Sequence, residues 1–116
     1  SVDIFYEVDL PIHTFFIHPV GTVLGRAHYG DFLVIYQGVS VGSDLNGNYP
    51  EIMGKNILFG NSTILGKSKL GVNSCLSSGA YAYNLSIPNN YYLRNRTLMK
   101  VNSSKKPYIK NFYNID

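Results

Sequence analysis

The chain has 116 residues, of which 45% are hydrophobic and only 15% charged. That describes one folded domain, and the lack of any run of 18 apolar residues excludes a helical membrane span. A formal charge of +3 gathers late, at Arg94, Arg96, Lys100, Lys105, Lys106 and Lys110, but no arginine run with interleaved aromatics points to nucleic acid. Ten tyrosines, eleven glycines and no tryptophan argue against a helical bundle. A single cysteine, Cys75, rules out an internal disulfide and fits a reducing, cytoplasmic setting.

Residues 1–16 alternate irregularly around Glu7, Asp9 and the break at Pro11, so an entering strand or partial coil is expected. From Ile17 a period of six takes over: Ile17, Val23, Tyr29, Ile35 and Val41, then Ile52, Leu58, Ile64, Leu70 and Leu76. A helix repeats its apolar residues at three and four, and a two-faced strand at two. A beat of six instead implies a short strand and a turn, repeated. Three such units close a triangular coil, so residues eighteen apart should stack: Ile17 over Ile35, Val23 over Val41, Leu58 over Leu76. Ten units make about three coils. Glycines recur at Gly25, Gly30, Gly42, Gly54, Gly60, Gly66 and Gly71, as tight corners with positive φ require. Ser62, Ser74 and Ala80 are the small residues expected to point inward.

The frame breaks once. From Val41 to Ile52 the step is eleven rather than twelve, through the turn-rich stretch GSDLNGNYPE. A loop at 42–51 is expected to leave the coil here. Beyond Ala82 the repeat fades into a closing strand with Pro88 and Tyr91–Tyr92, and 98–116 reads as a basic C-terminal tail. The domain division is therefore 1–16, 17–97 and 98–116.

The segment with His18, Gly21 and Gly25, then Tyr36-Gln37-Gly38-Val39-Ser40-Val41-Gly42, then a loop closing at Pro50 and Ile52, then five unbroken hexads, resembles the catalytic domain of bacterial serine O-acetyltransferases. It is also similar to related O-acetyltransferases of surface-polysaccharide biosynthesis. The resemblance covers residues 17 to 97. It implies an all-β, single-stranded left-handed parallel β-helix of hexapeptide repeats with one protruding loop. It also implies acetyl transfer from acetyl-CoA to a hydroxyl, and a homotrimer with a donor groove between subunits. Two departures stand out: Ile17 replaces the aspartate before the family's histidine, and Asn48–Tyr49 replaces the loop's Arg-His pair.

Acetyl transfer to an alcohol needs a base, and histidine suits it because its proton is exchanged near neutral pH. His18 is the candidate, expected to face outward at a corner beside the loop about one coil on. Asp9 is the preferred carboxylate to orient it, ahead of Glu7 and Asp31. His13, in an apolar run, reads as a packed histidine, and His28 as a surface residue. The histidine spacings of 5 and 10 with no cysteine partner make no metal pattern. Asp44, Asn46, Asn48 and Tyr49 are the acceptor candidates. Tyrosine and asparagine suit a sugar better than an amino acid's carboxylate, which calls for arginine. For the donor the resemblance implies Ser43, Gly60, Ser78 and Gly79 along the pantetheine, with Arg94, Arg96 and Lys100 near the phosphates. The rival expectations are serine O-acetylation and a purely structural β-helix.

Overall fold

A computed structural model describes residues 2–102 and 108–114, with only the backbone for Tyr108. Lys105 and Lys106 lie outside the described residues. The chain winds around three sides. β1 (Val2–Ile4) and β2 (Thr14–Phe16) belong to the first turn. β3 (Thr22–Leu24), β4 (His28–Tyr29) and β5 (Leu33–Ile35) make the second, and β6 (Ser40–Gly42), β7 (Glu51–Ile52) and β8 (Asn56–Leu58) the third. β9 (Thr63–Leu65), β10 (Lys69–Leu70) and β11 (Cys75–Leu76) make the fourth. β12 (Tyr81–Tyr83), β13 (Ser86–Ile87) and β14 (Tyr91–Arg94) make the fifth, and β15 (Thr97–Lys100) folds back antiparallel on β14.

The strands stack into three faces, β1-β3-β6-β9-β12, β4-β7-β10-β13 and β2-β5-β8-β11-β14-β15. All pairings except β14 with β15 are parallel. This is an all-β parallel β-helix of about five turns, not three. A strand of two or three residues cannot bury its own apolar side, and stacking supplies the missing partner above and below. The inward-facing side chains of the strands fill the interior. Leu24, Ile35, Ile52, Leu58, Ile64, Leu70 and Leu76 have no exposed surface, each contributing about 1.5–3 kcal/mol of burial. Ser62, Ser74 and Ala80 are buried as expected.

The register corrects the first part of the repeat. Leu58 stacks on Leu76 as expected, but Ile35 stacks on Phe16 rather than Ile17, and Val41 on Leu24 rather than Val23. Val23 is 46% exposed and Leu24 is fully buried. The corner from β2 to β3 takes extra residues and the next is short, so a strict count of six drifts by one. The break at 42–51 is likewise not two short hexads. Val41 on β6 and Ile52 on β7 occupy adjacent sides of one turn, so the step of eleven is one side lengthened by five residues.

Of the glycines expected at corners with positive φ only Gly54 and Gly66 take it, and asparagine shares the duty at Asn61, Asn73, Asn84, Asn90 and Asn95, being the residue after glycine that best tolerates it. Gly30 and Gly71 serve a different need. A Cβ on Gly30 would lie 2.5 Å from the Met53 backbone, and one on Gly71 2.5 Å from the Asn89 amide. They are small so that successive turns can touch.

The segment expected to be a solvated basic tail is partly built into the fold. After β15, a 3-10 turn at Tyr108–Asn111 buries Ile109 to 2% exposure against Val34, Ile57 and Cys75 on the outside of the six-stranded face. Phe112 packs by Phe15 and Tyr36, and the Tyr113 hydroxyl donates to the Leu33 carbonyl at 2.8 Å. No helix among the described residues is long and apolar enough to cross a membrane.

Candidate active site

Corners, not strands, decide which candidates meet. His18 lies between β2 and β3, where the chain passes from the six-stranded to the five-stranded face. The loop lies between β6 and β7, where it passes from the five-stranded to the four-stranded face. These are different edges of the prism, so within one chain His18 and the loop do not meet. His18 is exposed and holds φ at 45°, in the left-handed region that histidine enters more readily than most residues. Later turns place Gly38, Asn61 and Gly79 with positive φ at the same edge. The geometry gives His18 a corner-forming part.

His28 sits where the loop is. It begins β4, and its amide donates to the Pro50 carbonyl that ends the loop, at 2.9 Å. Its side chain faces outward, opposite the buried Tyr29. Glu7, Asp9, Leu10, Pro11, Ala27, Tyr29 and Tyr49 line a cleft of about 430 Å³ with it. Asp9 therefore shares this cleft with His28. Glu7 is held by Arg26, whose Nη2 donates to its carboxylate at 2.6 Å while the guanidinium lies over Phe5. Asp31 is committed elsewhere: it accepts the His13 amide and faces His13 Nδ1, both at 3.0 Å. His13 is half exposed and stacked on Phe32, not buried in the core.

The loop is a built structure. Asp44 accepts the amides of Asn46 and Asn48 and the Asn48 side-chain amide, all at 2.9 Å. The Asn48 side-chain bond, with the backbone amides behind it, lowers the Asp44 pKa below the ordinary carboxylate value. Asp44 and Asn48 thus brace the loop, and Tyr49 is left 45% exposed at its base.

Tyr49 also walls a second cleft, of about 450 Å³, with Gly47, Asn48, Glu51, Lys67, Ser68, Lys69 and Ser86. The two clefts share the outer surface of the four-stranded face. Along it His28, Glu51, Lys69 and Ser86 stand in register, one per turn, each immediately before a buried residue. Sequence reading missed Glu51, Lys67, Lys69 and Ser86. For Glu51, Lys69 and Ser86 the signal was the polar residue preceding Ile52, Leu70 and Ile87, visible only once the three sides are assigned.

The donor candidates fall on two edges. Gly60, Ser78 and Gly79 lie between the six- and five-stranded faces, with the Ser78 hydroxyl donating to the Gly60 carbonyl at 2.9 Å. Arg94 ends β14 and Arg96 lies in the turn to β15, both exposed. Ser43 lies at the loop edge. Gly60 is small partly because its Cβ would meet the Gln37 side chain at 2.7 Å. Among the described residues no three of His, Cys, Asp and Glu gather as metal ligands.

Among solved structures the chain is similar to a hexapeptide-repeat serine O-acetyltransferase from Brucella melitensis. That match has a TM-score of 0.66 and 25% identity over 74% of this chain and 34% of that one. It is also similar to the serine acetyltransferase of Brucella abortus strain S19, with a TM-score of 0.70 and 25% identity over 78% of this chain and 37% of that one. The chain thus spans about a third of the length of these proteins. No protein-family profile and no curated protein matches it. The family resembled in sequence and the proteins resembled in structure are the same: bacterial serine O-acetyltransferases with hexapeptide repeats.

Proposed function

We propose that this chain is the β-helical part of an acetyl-CoA-dependent O-acetyltransferase whose acceptor is a hydroxyl on a sugar of a surface polysaccharide or its precursor. The observation that carries the reading is the cleft where His28 meets Asp9, Glu7 and Tyr49 beside the one loop of the coil. That cleft sits on a fold shared with serine O-acetyltransferases.

His28 is assigned as the base, in place of His18. It takes the acceptor hydroxyl's proton as the oxygen attacks the thioester carbonyl. Collapse of the tetrahedral adduct breaks the carbon–sulfur bond, and the departing thiolate takes the proton back from the imidazolium. Base catalysis of this kind supplies about 10²–10⁴-fold. Glu51 stands one strand from His28, about 4.8 Å across the sheet, and Asp9 shares its cleft, so both stabilise the imidazolium. Tyr49 presents a ring face and a hydroxyl to the acceptor, within a loop braced by Asp44 and Asn48.

The donor is assigned to the edge carrying Gly60, Ser78 and Gly79, with Arg94 and Arg96 toward the phosphates. Ser43 joins that groove from a neighbouring subunit in a homotrimer. A cytoplasmic setting supplies acetyl-CoA. Serine O-acetylation is the second reading, and the solved relatives favour it at least as well. Asn48–Tyr49 opposes it, because these residues stand where the family's Arg-His pair would handle the amino acid.

The test is thiol release from acetyl-CoA with L-serine, hexoses, a nucleotide-sugar and polysaccharide offered in parallel. Release driven by a saccharide and lost in His28→Ala supports the reading. Release driven only by serine replaces the acceptor. No release with any acceptor, and no acetyl-CoA binding by calorimetry, leaves a structural β-helix.

A further inference from the structure

The cleft on the far side of Tyr49 has a charge pattern that the chemistry at His28 does not use. Lys67 and Lys69 both line it, and both are exposed. Neither is in an ion pair with a described residue, unlike His13 with Asp31 and Arg26 with Glu7. Glu51 also lines the cleft, but its strand lies between those of Lys69 and His28, and it serves the histidine. The pole farther from His28 is therefore cationic. Lys67 is fixed in place by its backbone, whose amide donates to Asn84 Oδ1 at 2.8 Å. Polar groups surround the lysines: Ser68, Ser86, Asn48 and the Tyr49 ring share the wall.

The order of strands provides a ruler. Lys69 on β10 stands two strands from His28 on β4, so the two lie about 10 Å apart along the face. A sugar ring with an exocyclic acidic substituent spans that gap. We infer that Lys67 and Lys69 hold an anionic group of the acceptor, so that the hydroxyl presented to His28 belongs to an acidic saccharide bearing a carboxylate or a phosphate. This rests on the acetyl-transfer reading for its purpose, though not for its binding chemistry. Two lysines act as mobile point charges, which suits either anion, whereas strict carboxylate selection would call for the bidentate fork of arginine.

Binding to the whole chain, measured by calorimetry or ligand-observed NMR, tests this without turnover. Glucose, glucuronate and glucose 1-phosphate are compared at equal concentration and low salt. Both anions, or one of them, should bind more tightly than glucose, and the anion that binds identifies the acidic group. Lys67→Gln and Lys69→Gln should each weaken that binding by about tenfold, and the double variant should bring it to the level of glucose. Glu51→Gln, which removes the opposing charge, should tighten it. All three positions are solvent-facing, and unchanged thermal melts show that each variant is folded. Equal binding of glucose and both anions, or anion binding undiminished in the double variant, overturns the inference while thiol release can still stand. Displacement of the bound anion by coenzyme A assigns the lysines to the donor and also overturns it. Lysine-dependent anion binding in a chain that never releases thiol keeps this site and removes the acetyl-transfer reading instead.

Discussion

Two edges of the prism are built by opposite rules. At the edge from the six-stranded to the five-stranded face, successive turns repeat one corner. Gly38, Asn61 and Gly79 take positive φ, and each amide donates to the turn below at 2.9 Å, to Val20, Gln37 and Gly60. At the edge from the five-stranded to the four-stranded face the turns differ in length, although Gly66 and Asn84 share a positive φ. Arg26 reaches back to Glu7 in one, five extra residues protrude in the next, and Gly66–Lys67 and then Asn84 follow. Repetition satisfies the backbone from one turn to the next. Departure from it leaves side chains to face a ligand, and both clefts flanking Tyr49 open on the irregular side.

The largest effect expected sets the two edges directly against each other. His28→Ala should lower kcat/KM for the best acceptor by about 10²–10⁴-fold, while His18→Ala leaves it near the parent value. The opposite ranking in a thiol-release assay returns the site to the repetitive edge. Next come changes to the shared interior. Leu58→Ala should cost about 2–5 kcal/mol in urea unfolding, because the side chain has no exposed surface and its stacked neighbours Ile35 and Leu76 close the space only in part. Gly30→Ala should cost about 1–3 kcal/mol for overpacking, since the obstacle is the Met53 backbone and not a side chain that can turn away.

Smaller effects sharpen the contrast. Asp44→Ala removes the brace on three donors of the loop. It should raise KM for the acceptor several-fold while the melting temperature of the coil holds, and a matching loss of melting temperature would tie the loop to the scaffold instead. The hydrogen bond from His13, with the backbone amides behind it, holds Asp31 below the ordinary carboxylate value of 3.8. A pKa depressed by folding gives stability that is present above 3.8 and lost as pH falls through the lowered value. The stability difference between the parent and Asp31→Asn should therefore shrink on acidification, as denaturant melts at neutral and acid pH can show. Least of all, Cys75, whose thiol burial pushes up to about 12, should react slowly with alkylating reagents at neutral pH. Phe112→Ala, by loosening the C-terminal segment, should speed that reaction.

The period of six was enough to read a β-helix, because burial of one aliphatic per side forces the beat whatever the other residues are. The same beat misled at Ile17 and Val23. A corner can absorb or drop a residue without changing which kinds of residue follow, so the count drifted while the pattern stayed apolar. The step from Val41 to Ile52 shows the cost of that drift: taken as two sides, it put the loop next to His18. Taken as one side with five residues inserted, it puts the loop next to His28. Asp9, Asn48 and Tyr49 were legible as candidates from their chemistry, since carboxylates, amides and phenols near a loop need no register to be noticed. Their partner was not, and neither were Glu51, Lys67 and Lys69, each of which reads as an ordinary solvated charge along the chain.

What the sequence by itself determined is the kind of coil and the place where it is interrupted, which follow from local periodicity and turn chemistry, while the family it resembles was carried by the ordered motifs from His18 to the last hexad. What only the tertiary structure decided is which histidine faces the loop, which carboxylates stand beside it and where the C-terminal segment docks. Those depend on how many residues each corner consumes. Each corner rotates everything after it by one side of the prism, so a single miscounted residue costs little in burial but moves a whole site.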